Sequence, residues 1–197
     1  MGSFFEKINY LVAIIVFLVI FISCFFTPFI SSGVGLDYDL NVIENMEISS
    51  SGFMWPIPGY TKITSYFGKR QSPTQGASSY HKGIDIGAPE GTVLIAVADG
   101  EITYTGFLGG GGYTITLSIE DMKITYCHVS PTFIVEVGQK VERGEIIGYV
   151  GPKYVYGVKG NTYTDSTGKP TNGATTGCHL HLGIRVNGEY TNPLNYY

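Results

Sequence analysis

The chain has 197 residues, enough for one domain with a substantial core plus additional segments. Charged residues make up only 14% of the sequence and the formal net charge is −4, so binding to nucleic acid has no electrostatic support. The 27 glycines and 15 tyrosines favour a turn-rich all-β domain over a helical one. Three cysteines, one of them in an apolar N-terminal stretch, indicate neither a disulfide scaffold nor a thiolate metal site.

Residues 1–30 are predicted to form an uncleaved transmembrane anchor. No charged residue occurs from position 8 to position 36, and an apolar run of about 20 residues is what a bilayer span requires. Two alternatives are a signal peptide cleaved near Ser31–Gly33 and a lipoprotein modified at Cys24. A signal peptide has a shorter apolar region and a stronger basic start. Lys7 before the span favours an N-inside orientation, so we expect a single-pass membrane protein whose domain lies outside the cytoplasm.

Residues 31–52 are polar and irregular and are interpreted as a stalk, and residues 53–197 as the folded domain. The prolines that follow Trp55 restrict the start of the domain to extended or turn conformations. Short strands separated by Gly, Asp and Pro then predict an antiparallel β-sandwich or barrel-like domain. The strands are expected at 63–67, 93–97, 101–105, 113–119, 123–128, 145–150 and 178–186, with another beginning around Asp85.

The last of these strands contains two of the four histidines of the chain. From Cys178 to Val186 apolar residues alternate with a second set that includes His179 and His181, which is the period of a strand with one apolar face. The two imidazoles therefore project from the same face, with their Cα atoms about 6.6 Å apart. Taken alone, such a pair is as compatible with solvated surface residues as with a site.

A second cluster makes a site the better interpretation. His81 and Asp85 are four residues apart and would be about 13 Å apart in a fully extended strand, so the segment must bend, which Gly83 permits. Together with one histidine of the pair they offer two imidazoles and a carboxylate, the ligand set of an open catalytic zinc site.

Four motifs then carry a family resemblance. The stretches Phe67-Gly-Lys-Arg70, His81-Lys-Gly-Ile-Asp-Ile86, Tyr126-Cys-His-Val-Ser130 and Gly177-Cys-His-Leu-His-Leu182 resemble, in this order, the core motifs of lysostaphin-type (LytM-domain) zinc endopeptidases, whose fold is of the duplicated hybrid motif type. The resemblance implies one zinc ion per chain, held by His81, Asp85 and His181. It assigns catalytic assistance to His128 and His179, without dividing the general base from the oxyanion donor between them.

The same resemblance implies that the substrate is a peptide of bacterial peptidoglycan, in its stem or its cross-bridge, reached by an anchored domain on the cell-wall side. Conjugation, secretion or division machinery is a possible partner. The alternative is a catalytically inactive LytM-like domain that binds peptidoglycan or activates another wall hydrolase. Such members typically lose metal ligands, and this sequence keeps them.

A rival from another class comes from two similar segments, Ile95–Ile102 and Val135–Ile147. Biotinyl and lipoyl carrier domains share this duplicated motif, with Lys123 as the attachment site here. A carrier has no use for four ordered histidines, and Ile124 stands where a biotinyl site has methionine.

Three further features of the domain have open interpretations. The glycine run 109–112 is either a mobile turn or a rim of the substrate groove. The long connection 152–176 is expected beside the groove, where Tyr154, Tyr156 and Tyr163 could line the substrate path. Arg70 could brace the site, contact substrate or be an ordinary surface residue.

The last expectation concerns a possible disulfide. If His128 and His179 converge on one metal, Cys127 and Cys178 are expected on the opposite sheet face, where neighbouring strands would allow a strained bridge or a buried thiol pair. The alternative is that both are small buried hydrophobic side chains.

Overall fold

The computed structural model describes residues 46–197 of the chain. The predicted membrane anchor (1–30) and most of the predicted stalk (31–52) lie outside the described residues. Between residues 46 and 197 no helix is long and apolar enough to cross a membrane.

The described part is built from twelve short strands and two 3₁₀ turns, which confirms the predicted all-β class. The strands are β1 (Ile63–Ser65), β2 (Gly68–Lys69), β3 (Tyr80–His81), β4 (Ile84–Gly87), β5 (Val93–Ile95), β6 (Gly100–Phe107), β7 (Tyr113–Ile119), β8 (Met122–Cys127), β9 (Lys140–Val141), β10 (Ile146–Tyr149), β11 (His179–Val186) and β12 (Glu189–Thr191). The 3₁₀ turns are Gly109–Gly111 and Pro193–Tyr196.

The main sheet has the order β1-β4-β11-β8-β7-β6-β9, with β12 paired to β11 at one end. Two smaller sheets pair β5 with β10 and β2 with β3. Every one of these pairings is antiparallel, as the sequence predicted. Strand β11 therefore lies between β4 and β8, although it comes nearly last in the chain.

One face of the main sheet forms the hydrophobic core. Leu180, Leu182 and Ile184 of β11 are completely buried, as their alternation predicted. Removing each such side chain from water stabilises the fold by roughly 1.5–3 kcal/mol. Tyr126 of β8 lies in the same core, and its hydroxyl donates to the carbonyl of Ile95 at 3.1 Å and accepts from the amide of Val97 at 3.0 Å. This phenol ties the main sheet to the segment that contains β5.

The similar segments around positions 95–102 and 135–147 are antiparallel neighbours. Strand β9 pairs with the start of β6, and β10 pairs with β5. Between these pairings the amide of Ala96 donates to the carbonyl of Glu145 at 2.9 Å. The likeness in sequence thus corresponds to two segments that share hydrogen bonds across the fold.

The start and the end of the described chain pack together. Phe53 stacks on Tyr196 with ring centroids 5.3 Å apart, and Trp55 meets the ring of Tyr197 edge-on at 4.9 Å. A β-bridge joins Ile48 to Met54, so residues just before position 53 also contact the domain.

Candidate metal centre and catalytic groove

Three neighbouring strands bring the predicted ligands together. His81 ends β3, Asp85 lies in β4, and His181 lies in β11 directly opposite Asp85 in the antiparallel register. The chain bends between β3 and β4, at Lys82 and Gly83, as the sequence required. His81, Asp85 and His181 thereby form a group that could hold a metal ion.

Their donor atoms form a tight triangle. Nε2 of His81 lies 2.8 Å from Nδ1 of His181 and 3.1 Å from Oδ1 of Asp85, and Nδ1 of His181 lies 2.9 Å from the same oxygen. Two imidazole nitrogens and one carboxylate oxygen are the protein ligands of a catalytic zinc site with an open position. The donor set of this chain therefore fits zinc.

A hydrogen bond on the side of the His81 ring that faces away from the other ligands fixes its tautomer. Its Nδ1 donates to the carbonyl oxygen of Tyr66 at 2.9 Å, which leaves the lone pair of Nε2 directed at the other two ligand atoms. Such a hydrogen bond behind a metal-binding imidazole orients the ring and raises its basicity as a ligand.

Gly83 permits the close approach of β4 to β11. A Cβ atom at this position would overlap the carbonyl oxygen of Leu182 and lie 2.8 Å from the ring of His181. The glycine that allows the bend is thus also needed to leave room for a ligand.

Asp85 remains ionised in this environment. Burial alone would raise its pKa, but the close contacts of its carboxylate with the imidazoles of His179, His181 and His81 hold the pKa well below its ordinary value. Its second oxygen, Oδ2, accepts a hydrogen bond from Nη1 of Arg70 at 3.0 Å. Arg70 therefore braces the site, one of the roles that the sequence left open for it.

His179 and His128 lie beside the triangle. Their ring centroids are 4.7 Å apart, and Nε2 of His179 is 3.5 Å from Oδ1 of Asp85. Nδ1 of His179 donates to the carbonyl of Gly177 at 2.9 Å, and Nδ1 of His128 donates to the carbonyl of Asn172 at 2.7 Å. Both imidazoles therefore present an unprotonated Nε2, the form that a general base requires.

The pKa of His128 is lowered to about 3, first by burial and then by the neighbouring imidazoles of His179 and His181, although the Asn172 carbonyl opposes this. His128 is therefore neutral at physiological pH. Burial likewise lowers the pKa of His181, against the opposing effect of Asp85.

The path of the chain into His128 differs from the prediction. Simple alternation would place His128 on the core face with Tyr126, but its φ is 60°, in the left-handed region. This backbone conformation turns the imidazole of His128 to the groove face. The side chain of Cys127 lies on the same face, against Gly111 and Thr114. The expectation that Cys127 lies on the opposite face is wrong.

The disulfide hypothesis is wrong as well. Both Cys127 and Cys178 are free, because the register of β8 and β11 sets Cys127 opposite His181. Burial raises the pKa of the Cys127 thiol to about 12, opposed by a hydrogen bond with Thr114. This thiol is a small buried group in the wall of the groove.

The sequence did not single out Asn172, which joins the long connection to the site. It is completely buried; its Oδ1 accepts from the amide of Tyr113 at 2.7 Å, and its Nδ2 donates to the carbonyl of Val129 at 3.0 Å. The connection therefore reaches the site through Asn172.

The open interpretations of the two loops are now decided. Gly110 and Gly111 line the groove, so the glycine run forms part of its rim. Three tyrosines were proposed for the substrate path: Tyr154, Tyr156 and Tyr163. None of them is among the described residues that line the groove. Tyr163 instead packs against the glycines at 76 and 110, and supports the rim from outside.

Comparisons with known proteins point in one direction. The model of Peptidase family M23 matches residues 79–193. The DD-carboxypeptidase/endopeptidase Mpg of Neisseria meningitidis is 36% identical over 137 residues, which cover 69% of this chain and 27% of that protein. The murein hydrolase activator NlpD of Escherichia coli is 31% identical over 148 residues, covering 74% of this chain and 31% of that protein. The chain thus spans less than a third of the length of these relatives.

Among solved structures, the catalytic domain of the antimicrobial peptidase lysostaphin from Staphylococcus simulans is similar, with a TM-score of 0.54 and 28% identity. The similarity covers 70% of this chain and 91% of that domain. Residues 79–193, which the family model matches, contain the four histidines and Asp85, and the comparisons give no support to a carrier domain.

Proposed function

The chain belongs to peptidase family M23, and on that premise we propose that it is a zinc metalloendopeptidase that hydrolyses peptide bonds of bacterial peptidoglycan. The observation that carries the proposal is the triangle of His81, Asp85 and His181, whose donor atoms lie 2.8 to 3.1 Å apart with two further imidazoles beside it. The substrate class is supported by the names of two relatives, the DD-carboxypeptidase/endopeptidase of Neisseria meningitidis and the murein hydrolase activator of Escherichia coli.

In this proposal the three ligands hold one zinc ion, which supplies Lewis-acid activation of water and of the scissile carbonyl when it is bound. His179 and His128 then handle protons. The free Nε2 of one imidazole accepts the proton of the attacking water, and the resulting imidazolium returns it to the leaving amine nitrogen. The carbonyls of Gly177 and Asn172 keep each ring in the tautomer that this requires.

The second candidate function is that of an inactive wall-binding domain that activates another hydrolase. It is favoured by the similarity to a protein named as a murein hydrolase activator. The complete set of ligands argues against it, because a domain that only binds has no need to orient two unprotonated imidazoles beside a metal site.

The test is metal analysis of the full-length chain beside digestion of purified cell walls of defined cross-bridge chemistry. His81→Ala, Asp85→Ala and His181→Ala should lose zinc and cleavage together. His128→Ala and His179→Ala should keep about one zinc per chain, while the release of new amino termini falls by a factor of about 10²–10⁴. The reverse behaviour of His179→Ala and His181→Ala would exchange their roles. Cleavage by all five variants would refute the site.

If the wild-type chain holds zinc but releases no amino termini, the activator candidate takes its place. It predicts that the chain accelerates wall digestion by an added amidase or glycosidase without cutting the wall itself.

We further propose that residues 1–30 anchor the chain in the cell membrane, with the peptidase domain on the cell-wall side. The proposal rests on the uncharged stretch after Lys7. Protease added to intact protoplasts should then remove the domain, and the untreated full-length chain should sediment with membranes. A soluble chain that begins near Gly33 would overturn it.

A further inference from the structure

The groove continues along β11 beyond the metal ligands. Gly183 and Arg185 follow His181 on the same strand face, and the groove at this end is also lined by Lys82 and Tyr190. Successive positions on this face are about 6.6 Å apart, so the Cα of Arg185 is about 13 Å from that of His181.

Two cations converge on one aromatic ring at this end. The Nζ of Lys82 lies 4.9 Å from the centroid of the Tyr190 ring, and the guanidinium carbon of Arg185 lies 5.4 Å from it. Tyr190 is the cross-strand partner of Arg185. The ammonium of Lys82 and the guanidinium of Arg185 therefore lie close to each other. Each is attracted by the aromatic ring and repelled by the other cation.

No carboxylate balances this pair. Across residues 46–197, neither Lys82 nor Arg185 has a carboxylate oxygen within ion-pair distance. Nε of Arg185 is buried and has no hydrogen-bond partner. Asp85 is the one acidic group among the described residues that line the groove, and Arg70 already occupies its outer oxygen. This end of the groove is thus positively charged in a protein whose net charge is −4.

Gly183 lies between the metal site and this cation pair and is closely surrounded by both. A Cβ at Gly183 would lie 3.2 Å from the carbonyl oxygen of Lys82, 3.6 Å from Nε2 of His181 and 3.9 Å from the Tyr190 ring. The absence of a side chain here lets Lys82 and Tyr190 approach the ligand His181, so the cation pair lies in the same groove as the metal ligands.

We propose that Lys82 and Arg185 bind a carboxylate group of the peptide substrate, within about four residues of the scissile bond. The distance follows from the spacing along β11, since an extended peptide advances about 3.3–3.6 Å per residue. A guanidinium and an ammonium are the groups that pair with a carboxylate, and an arginine can donate two parallel hydrogen bonds to it. This inference rests on the proposed peptidase function and narrows its substrate to peptides that carry a free carboxylate.

The test compares two substrates that differ only in charge. Purified cell walls are used as isolated and after conversion of their carboxylates to amides with a carbodiimide and excess ammonia. The zinc-loaded full-length chain should release new amino termini from the amidated wall about tenfold more slowly, since a hydrogen bond between charged groups is worth at least that factor. Lys82→Gln and Arg185→Gln should slow digestion of the untreated wall by a similar factor and reduce the difference between the two walls.

Three controls make the result specific. Lys140→Gln removes an exposed cation of β9 outside the groove and should leave the preference for the untreated wall at its wild-type value. Arg185→Lys keeps the charge and should keep the direction of the preference, and melting curves confirm that each variant is folded. Equal digestion of both walls by the wild type, or an unchanged preference in Arg185→Gln, would overturn the proposal.

Co-sedimentation with the same two walls separates this inference from the proposed function. If the chain cuts neither wall, the peptidase proposal fails, but tighter binding to the untreated wall that is lost in Arg185→Gln still supports a carboxylate site. Equal binding to both walls would overturn the carboxylate site whether or not cleavage occurs.

Discussion

The backbone carbonyl of Asn172 accepts a hydrogen bond of 2.7 Å from Nδ1 of His128, a residue 44 positions earlier in the chain. The side chain of the same asparagine accepts a hydrogen bond from the amide of Tyr113 and donates one to the carbonyl of Val129. These two bonds hold the Asn172 backbone in place. A loop residue thereby sets the tautomer and direction of an imidazole at the end of β8.

Asn172→Ala should therefore impair both stability and catalysis. It leaves two buried backbone groups without partners, which lowers the free energy of unfolding by about 1–3 kcal/mol for each group. The carbonyl that orients His128 also loses its support, and a displacement of about 1 Å in a catalytic group reduces turnover by about 10²-fold. Wall digestion is measured at a temperature where melting curves show the variant folded.

The matched control is Asn161→Ala, which removes the hydrogen bonds of Asn161 to the carbonyl of Thr171 and the amide of Tyr163 in the same connection. It should loosen the loop and leave turnover within a few-fold of the wild type. Equal losses of activity in both variants would show that His128 depends on loop order in general and not on Asn172.

Gly83→Ala should weaken zinc binding, because the added methyl group would overlap the Leu182 carbonyl oxygen and press on the ring of His181. Zinc affinity, measured by competition with a chelator, should fall by at least about tenfold, as expected when a ligand is displaced from its position. Gly177→Ala is the control in the same groove, since a Cβ there meets no atom within 4 Å. Wild-type affinity in Gly83→Ala would mean that the strands move apart without disturbing the ligands.

Arg70→Gln should lower zinc affinity by about 10–100-fold, since outer partners of metal ligands typically contribute this much. Nη1 of Arg70 donates to Oδ2 of Asp85 at 3.0 Å and to Oγ of Ser65 at 2.6 Å, so the guanidinium both orients the carboxylate and favours its ionised form. The control is Lys69→Gln, which removes one positive charge at the adjacent, exposed residue and does not disturb the contact between Arg70 and Asp85. If both variants lose affinity equally, only the general charge of the region matters.

The two thiols should differ in reactivity. Cys127 is buried and burial raises its pKa to about 12, so at pH 8 almost none of it is thiolate and iodoacetamide should not label it in the folded protein. Unfolding the protein without reductant should make both Cys127 and Cys178 react, which peptide mass spectrometry reads directly. Failure of either to react until a reductant is added would indicate a disulfide after all.

The sequence predicted most of the site because its residues follow simple periodicities. Alternation from Leu180 to Ile184 was sufficient to place His179 and His181 on the face away from the core. The bend at Gly83 followed from the distance that His81 and Asp85 would otherwise span. These features depend on neighbours in the chain, so local reasoning reaches them.

The predictions that failed concerned features that depend on backbone conformation and on residues distant in the sequence. The left-handed φ of His128 is invisible in a pattern of apolar and polar residues, and it reversed the expectation for Cys127. The strands β2, β3, β9 and β12 have only two or three residues each, too few for a period to be recognised. Asn172 acts through contacts 43 to 59 residues away in sequence, which composition cannot reveal.

The position of β11 between β4 and β8 has a consequence for the order in which the domain can be completed. A ribosome delivers β1 to β10 before residue 179 exists, and in that interval β4 and β8 have no strand to join them. The incomplete chain also lacks two of its four histidines. The metal site consequently cannot form until β11 has been made, so an arrested or truncated product that stops before residue 179 can neither close its main sheet nor supply His181 as a ligand.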